Sequence, residues 1–151
     1  MKNSNNHPML IAGLLLCGAG LLLPASKISA QQTSIWVAPK EADLIKNPLE
    51  DNLTAAKEGK KLYLQNCAVC HGDKGKGDGI AAAGLTPKPA NHTSDKVQNQ
   101  SDGAIFWKMT TGRPPMASYK EALTETQRWQ LVNYIRTLKT PDKLKTATAK
   151  N

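Results

Sequence analysis

Aromatic residues are scarce in this 151-residue chain, with three Trp, three Tyr and a single Phe, so a small core here cannot be filled mainly by rings. Much of its apolar mass must come from elsewhere. The uncharged run at residues 9–23 covers 15 positions, short of the roughly 20 an α-helix needs to cross a bilayer. There is no Walker phosphate-binding pattern and no basic helix interleaved with aromatics, which removes nucleotide cradles and nucleic acid from the candidate functions. Cysteine and histidine number three each, and once the N-terminus is taken into account only Cys67, Cys70, His71 and His92 are left to offer a closed zinc site its four or so ligands.

That N-terminus has the shape of a secretory signal. Lys2 and an Asn-rich stretch precede the apolar run, and the small residues Ala25, Ser26, Ser29 and Ala30 follow it. Residues 1–30 are therefore expected to be a cleaved signal peptide, with retention as an anchor as the alternative. Ile28 is larger than the residue usually found two positions before a cut. A lipoprotein at Cys17 is disfavoured because Leu16 precedes it. Cleavage removes Cys17 and His7 and leaves Cys67 and Cys70 as the mature cysteines, so no disulfide can form unless these two pair. About 121 residues remain, enough for one domain, with 18 basic residues against 12 acidic and a formal charge of +6. That balance suits an acidic docking partner as well as simple solubility.

Residues 31–53, with Pro39 and Pro48 and no sustained periodicity, are expected to form an irregular extension that Trp36 and Val37 tether to the surface. A helix is expected from residue 52 or 54 to 66, with Ala55, Gly59, Leu62 and Tyr63 on one stripe; Gly59 in mid-helix implies close approach of another helix. Four glycines at 72, 75, 77 and 79 make a loop. Ser101 caps a second helix over 102–111 that Gly112 stops. Thr124 and Gln127 form a capping box that opens a third helix, whose apolar stripe is Leu131, Val132, Ile135 and Leu138. Residues 54–139 are thus expected to gather these three helices in one domain, and residues 140–151 are expected to be a flexible basic tail.

The chemistry centres on Cys67-Ala68-Val69-Cys70-His71. Two thiols at this spacing can form thioether bonds to the vinyl groups of one haem while the adjacent imidazole binds its iron. The same letters also serve zinc or a redox-active thiol pair. Covalent attachment consumes both thiols, which suits an oxidising compartment, and a buried haem would supply the missing apolar mass. Pro87 or Pro89 is placed to offer a carbonyl to the second nitrogen of His71. For the sixth ligand, Met116 lies in the proline-stiffened loop 113–119, whereas Met109 lies on an amphipathic helix, where methionine is usually packing material. His92 would give bis-histidine iron, or else lies near the surface. Trp107 and Arg113 are candidates for the haem propionates, with core packing and a solvated charge as their plainer readings.

Over residues 55–138 the chain resembles the class I monohaem cytochromes c of bacteria, secreted or membrane-associated. The resemblance rests on Gly59 and Tyr63, the attachment motif with Gly72, the Gly75-Lys76-Gly77-Asp78-Gly79 loop, Pro87-Lys88-Pro89, Gly112-Arg113-Pro114-Pro115-Met116, and Trp129 with Tyr134-Ile135-Arg136-Thr137-Leu138. It implies an all-α cytochrome c fold whose first and last helices cross at Gly59, one covalent haem c, and iron held axially by His71 and Met116. His92 and Ala117 depart from the usual pattern, which carries an apolar residue and a proline there. The expected function is electron transfer between Fe(II) and Fe(III) outside the cytoplasm, in the periplasm and within a respiratory chain or similar path, without catalysis. Lys74, Lys76 and Lys88 would steer transient, acidic redox partners. The alternatives are a haem-bearing subunit tethered to a larger membrane complex, and an open-site haem enzyme or sensor. Membrane contact would arise only through a retained N-terminus or a membrane-bound partner.

Overall fold

In the computed structural model, which describes residues 35–139, the capping signals of the sequence open the three long helices where they were expected. Helix α1 (Leu53–Asn66) begins where the Asn52 side chain accepts from the Ala55 amide at 2.9 Å. Helix α2 (Ala68–His71) is a single turn that follows directly on α1, and α3 (Asp95–Gln98) is another. Helix α4 (Asp102–Thr111) is capped by Ser101 and ends at Gly112, whose φ of 68° suits glycine. The reciprocal Thr124 and Gln127 capping box opens α5 (Glu125–Thr137). Among the described residues there is no β-strand, only one antiparallel bridge between Arg113 and Met116.

Helices α1 and α5 make the most extensive contact in the fold. A Cβ at Gly59 would run into the Gln130 carbonyl, and Tyr134 Cβ lies 3.0 Å from the same point. The glycine expected to admit a second helix therefore does so. Tyr63, Leu131 and Val132 are fully buried at this crossing, and Trp129 stacks on Phe106 with ring centroids 3.9 Å apart. Leu131, Val132 and Ile135 of the expected stripe are buried, and Leu138 is half-buried beside Gly75.

The segment before α1 is more ordered than its sequence suggested. Lys40–Leu44 form a 3-10 helix, and Ala42 is buried against Gly103 of α4, where no Cβ could fit. Asn47 fastens this strap: its Nδ2 donates to Asp102 Oδ2 at 2.6 Å and to Asn133 Oδ1 at 2.7 Å, while its Oδ1 accepts from the Leu49 amide at 2.9 Å. Proline and mixed polarity hid this element because a five-residue helix is too short to show a period. No helix among the described residues is long and apolar enough to cross a membrane. The expected signal peptide and basic tail lie outside the described residues.

Candidate functional site

The turn at Cys67 is made by the chain's own carbonyl pattern. The amides of Cys70 and His71 donate to the Cys67 carbonyl at 3.1 and 2.9 Å, which places both cysteines and the imidazole on one side of a single helical turn. The glycine loop then folds back over that turn. Gly77, Gly79 and Ala81 donate to the carbonyls of His71, Cys70 and Val69 at 2.8, 3.1 and 2.9 Å. Gly72, Gly75 and Gly77 have φ between 72° and 78°, a region costly for other residues.

Cys67, Cys70 and His71 line a cavity of about 650 Å³, within the range of small-molecule sites, about 300–1,000 Å³. Its walls are largely apolar, with Leu85, Pro87, Val97, Ile105 and Ile135 among them, and both Met109 and Met116 contribute. Lys96, Lys108 and Arg113 also line it. Burial, then the charges of Arg113 and Lys96, lower the Lys108 ammonium's pKa, so this part of the wall favours an anion.

His71 is fixed from behind. Its Nδ1 lies 2.9 Å from the Ala90 carbonyl oxygen, and because a carbonyl can only accept, Nδ1 carries the proton and Nε2 keeps its lone pair. Burial lowers the imidazole's pKa and the Ala90 bond partly opposes it, which leaves a neutral ring able to bind a metal. The acceptor is thus Ala90, not the carbonyl of Pro87 or Pro89; both prolines line the cavity without taking that bond. His92 stacks on His71 with centroids 4.1 Å apart and planes 18° apart. Tyr63 gives its hydroxyl proton to the Gly72 carbonyl at 3.1 Å and accepts from His92 Nδ1 at 3.2 Å. Burial, then the charge of His71, brings the His92 pKa down to about 3.

Cys67 is not disposed for thiol chemistry. Burial, then the neighbouring Cys70, pushes the Cys67 thiol up to about 12, whereas reactive cysteines have depressed values. Among the described residues no group of three or more His, Cys, Asp or Glu is arranged to hold a metal ion, so they offer zinc no closed set of ligands. A covalently held porphyrin fits the donor set: two cysteines, one neutral imidazole with a free nitrogen, thioether sulfur in the wall and cations at the side. Arg113 lines the cavity as expected, but Trp107 does not; its ring turns to Trp36, with centroids 6.4 Å apart. Lys88 is exposed and donates to the Ala82 and Ala83 carbonyls at 3.0 and 2.8 Å.

The sequence profile of the family described as cytochrome c matches residues 56–139, more than half of the chain. The chain belongs to the cytochrome c family. It has an all-α cytochrome c fold, and its haem is the covalently attached c type, with Cys67 and Cys70 at the two cysteine positions of the attachment motif. Among solved structures, the cytochrome is similar to a chain of the reducing HAO-like protein complex Kustc0457/Kustc0458 of Kuenenia stuttgartiensis, at 29% identity and a TM-score of 0.57, over 64% of this chain and 50% of that one. It therefore spans about half the length of that relative. It is also similar to the KustC0563 c-type cytochrome, at 33% identity and a TM-score of 0.48, over 54% of this chain and 98% of that one. No curated protein matches the cytochrome.

Sequence reasoning missed Ala90, Lys96 and Lys108 in this cytochrome. A backbone acceptor leaves no mark in residue type, and lysines on short helices look like solvated charges until the helix is placed against a cavity. Trp36 was read only as a surface tether, because nothing local shows that it reaches the same cavity as Met116.

Proposed function

We propose that this cytochrome is a single-haem electron carrier with iron held axially by His71 and Met116, working outside the cytoplasm and carrying out no catalysis. The observation that carries this reading is the His71 ring, neutral and locked by the Ala90 carbonyl on one wall of a cavity to which the Met116 loop also contributes. The haem supplies a reversible one-electron couple at its iron. Every other contribution comes from the chain. Cys67 and Cys70 fix the group covalently, and the Ala90 bond orients His71 and strengthens it as a donor. A thioether opposite favours the reduced state relative to a second imidazole. Met109 is buried in the hydrophobic core cluster, which suits packing, whereas Met116 is half-buried on a loop. Arg113, joined by Lys96 and Lys108, offers positive charge for the propionates; Trp107, whose ring meets Trp36, is given a packing role.

Beside the attachment turn, Lys74 and Lys76 are exposed with the apolar side chains Leu64, Val69 and Ile80. Apolar surface within a ring of charge suits a short-lived complex with an acidic redox protein, in which charge steers encounter and release stays fast. Redox titration should give a one-electron couple, and electron exchange with an acidic partner should slow as salt rises. Reversing both Lys74 and Lys76 to Glu should slow that exchange at low salt while leaving the midpoint potential nearly unchanged; an unchanged exchange rate would place docking elsewhere.

The likeness to a chain of a multi-protein complex supports a second reading, a haem-bearing subunit docked on a larger redox assembly. Mass spectrometry of the mature N-terminus separates the two: retention of residues 9–23 favours a tethered subunit, and a terminus near residue 31 favours a free carrier.

A further inference from the structure

Trp36 belongs to no regular element, yet Ile35 and Trp36 both line the cavity. The indole meets two cations there, with Arg113 Cζ 5.1 Å and Lys108 Nζ 5.8 Å from its ring centroid, and its edge is fixed by Trp107. Arg113 is one end of the bridge that closes the Met116 loop: the Arg113 amide donates to the Met116 carbonyl at 3.0 Å, and the Met116 amide donates to the Arg113 carbonyl at 2.8 Å. On its far side, the loop is held by the Tyr119 amide donating to the Met109 carbonyl at 3.1 Å and by Ser118 Oγ donating to the Thr110 carbonyl at 2.6 Å. The segment carrying Trp36 is itself anchored by Ala42 against Gly103 and by Asn47 on Asp102 and Asn133. Contacts thus run from Trp36 through Arg113 to the Met116 loop, and the chain that carries Trp36 is anchored further on at Ala42 and Asn47.

We propose that Trp36 is a positioning residue for the sixth-ligand loop: its ring, stacked on Arg113, holds the loop so that the Met116 thioether stays on the iron, and the N-terminal strap thereby sets how readily that ligand is displaced. This rests on the assignment of Met116 as ligand. The strap acts through the loop and touches neither the cysteines nor His71. Cation–π contacts of this class shift an equilibrium about twofold to thirtyfold, more when desolvated. A Trp at this place therefore matters for its aromatic face as well as its bulk.

The test compares Trp36→Phe and Trp36→Leu with the parent as haem-loaded ferric proteins. Imidazole is titrated as a displacing ligand, and the weak far-red sulfur-to-iron band and the hydrogen exchange of the Met116 amide are followed. Phe keeps an aromatic face, whereas Leu keeps apolar bulk without one. The expected result is that the Leu variant binds imidazole about tenfold more tightly than the parent, with a weaker band and faster exchange at Met116, while the Phe variant stays within about threefold. Equal imidazole affinity in both variants and the parent, with the parent's band intact, overturns the proposal. A band that survives Met116→Ala overturns the ligand assignment beneath it, and the proposal with it.

Discussion

The rings of His71 and His92 lie face to face, 4.1 Å between centroids, so the two imidazoles share one side of the site. His92 also lines the cavity; stacked on the face of His71 and held by Tyr63, it fits a buttress to that ring better than a ligand across the iron.

His92→Phe should accordingly keep the low-spin spectrum and the sulfur-to-iron band. It loses the bond from Nδ1 to Tyr63 but keeps a ring in the stack, so it should lower stability by about 1 kcal/mol, read as a shift of the denaturant midpoint in the haem-loaded protein. Loss of the low-spin spectrum would return His92 to the iron.

Gly59→Ala tests the crossing of α1 and α5. The added methyl is aimed at the Gln130 carbonyl and at Tyr134, both fixed by their helix, so the helices must separate. The expected cost is about 3 kcal/mol, at the upper end of ordinary overpacking, measured by denaturant unfolding. A change of less than about 1 kcal/mol would mean that the helices give way readily there.

Much of this was legible before any coordinates. Asn52, Ser101 and Thr124 open helices because a short polar side chain that satisfies a free amide is a local signal, and the Leu131, Val132, Ile135 stripe is periodic over enough residues to be read. The attachment motif is local as well. The Ala90 acceptor was not legible, since four successive carbonyls at 87–90 differ only in the path of the loop. Nor were the bonds of Lys88, whose charge looks the same with or without the two carbonyls it meets here. The single-turn helices α2 and α3 are shorter than any periodicity.

Asn47→Ala removes the hub of the strap. It leaves Asn133 Oδ1 and the Leu49 amide without a partner and takes one bond from Asp102, which still pairs with Arg136 at 2.6 Å. The loss should be about 3 kcal/mol, and imidazole affinity should rise with it as Trp36 loosens. Thermal unfolding beside an imidazole titration checks both; a destabilised protein with parental imidazole affinity would uncouple the strap from the Met116 loop.

The cavity itself makes a prediction about the haem-free chain. Without haem, the largely apolar walls of this cavity would stand against water, and that lost burial is set against a domain's whole stability of only about 5–15 kcal/mol. Haem-free protein should show no cooperative thermal transition by circular dichroism. A cooperative melt would mean that the fold closes without its cofactor.

The central claim is that Met116 completes the iron's coordination opposite His71, making the protein an electron carrier. The most direct measurement is the absorption spectrum of the oxidised and reduced haem-loaded protein beside its Met116→Ala variant. The account predicts a low-spin parent whose weak far-red band vanishes in the variant, with Met109→Leu leaving it in place. A high-spin parent, or a band that persists without Met116, would contradict it.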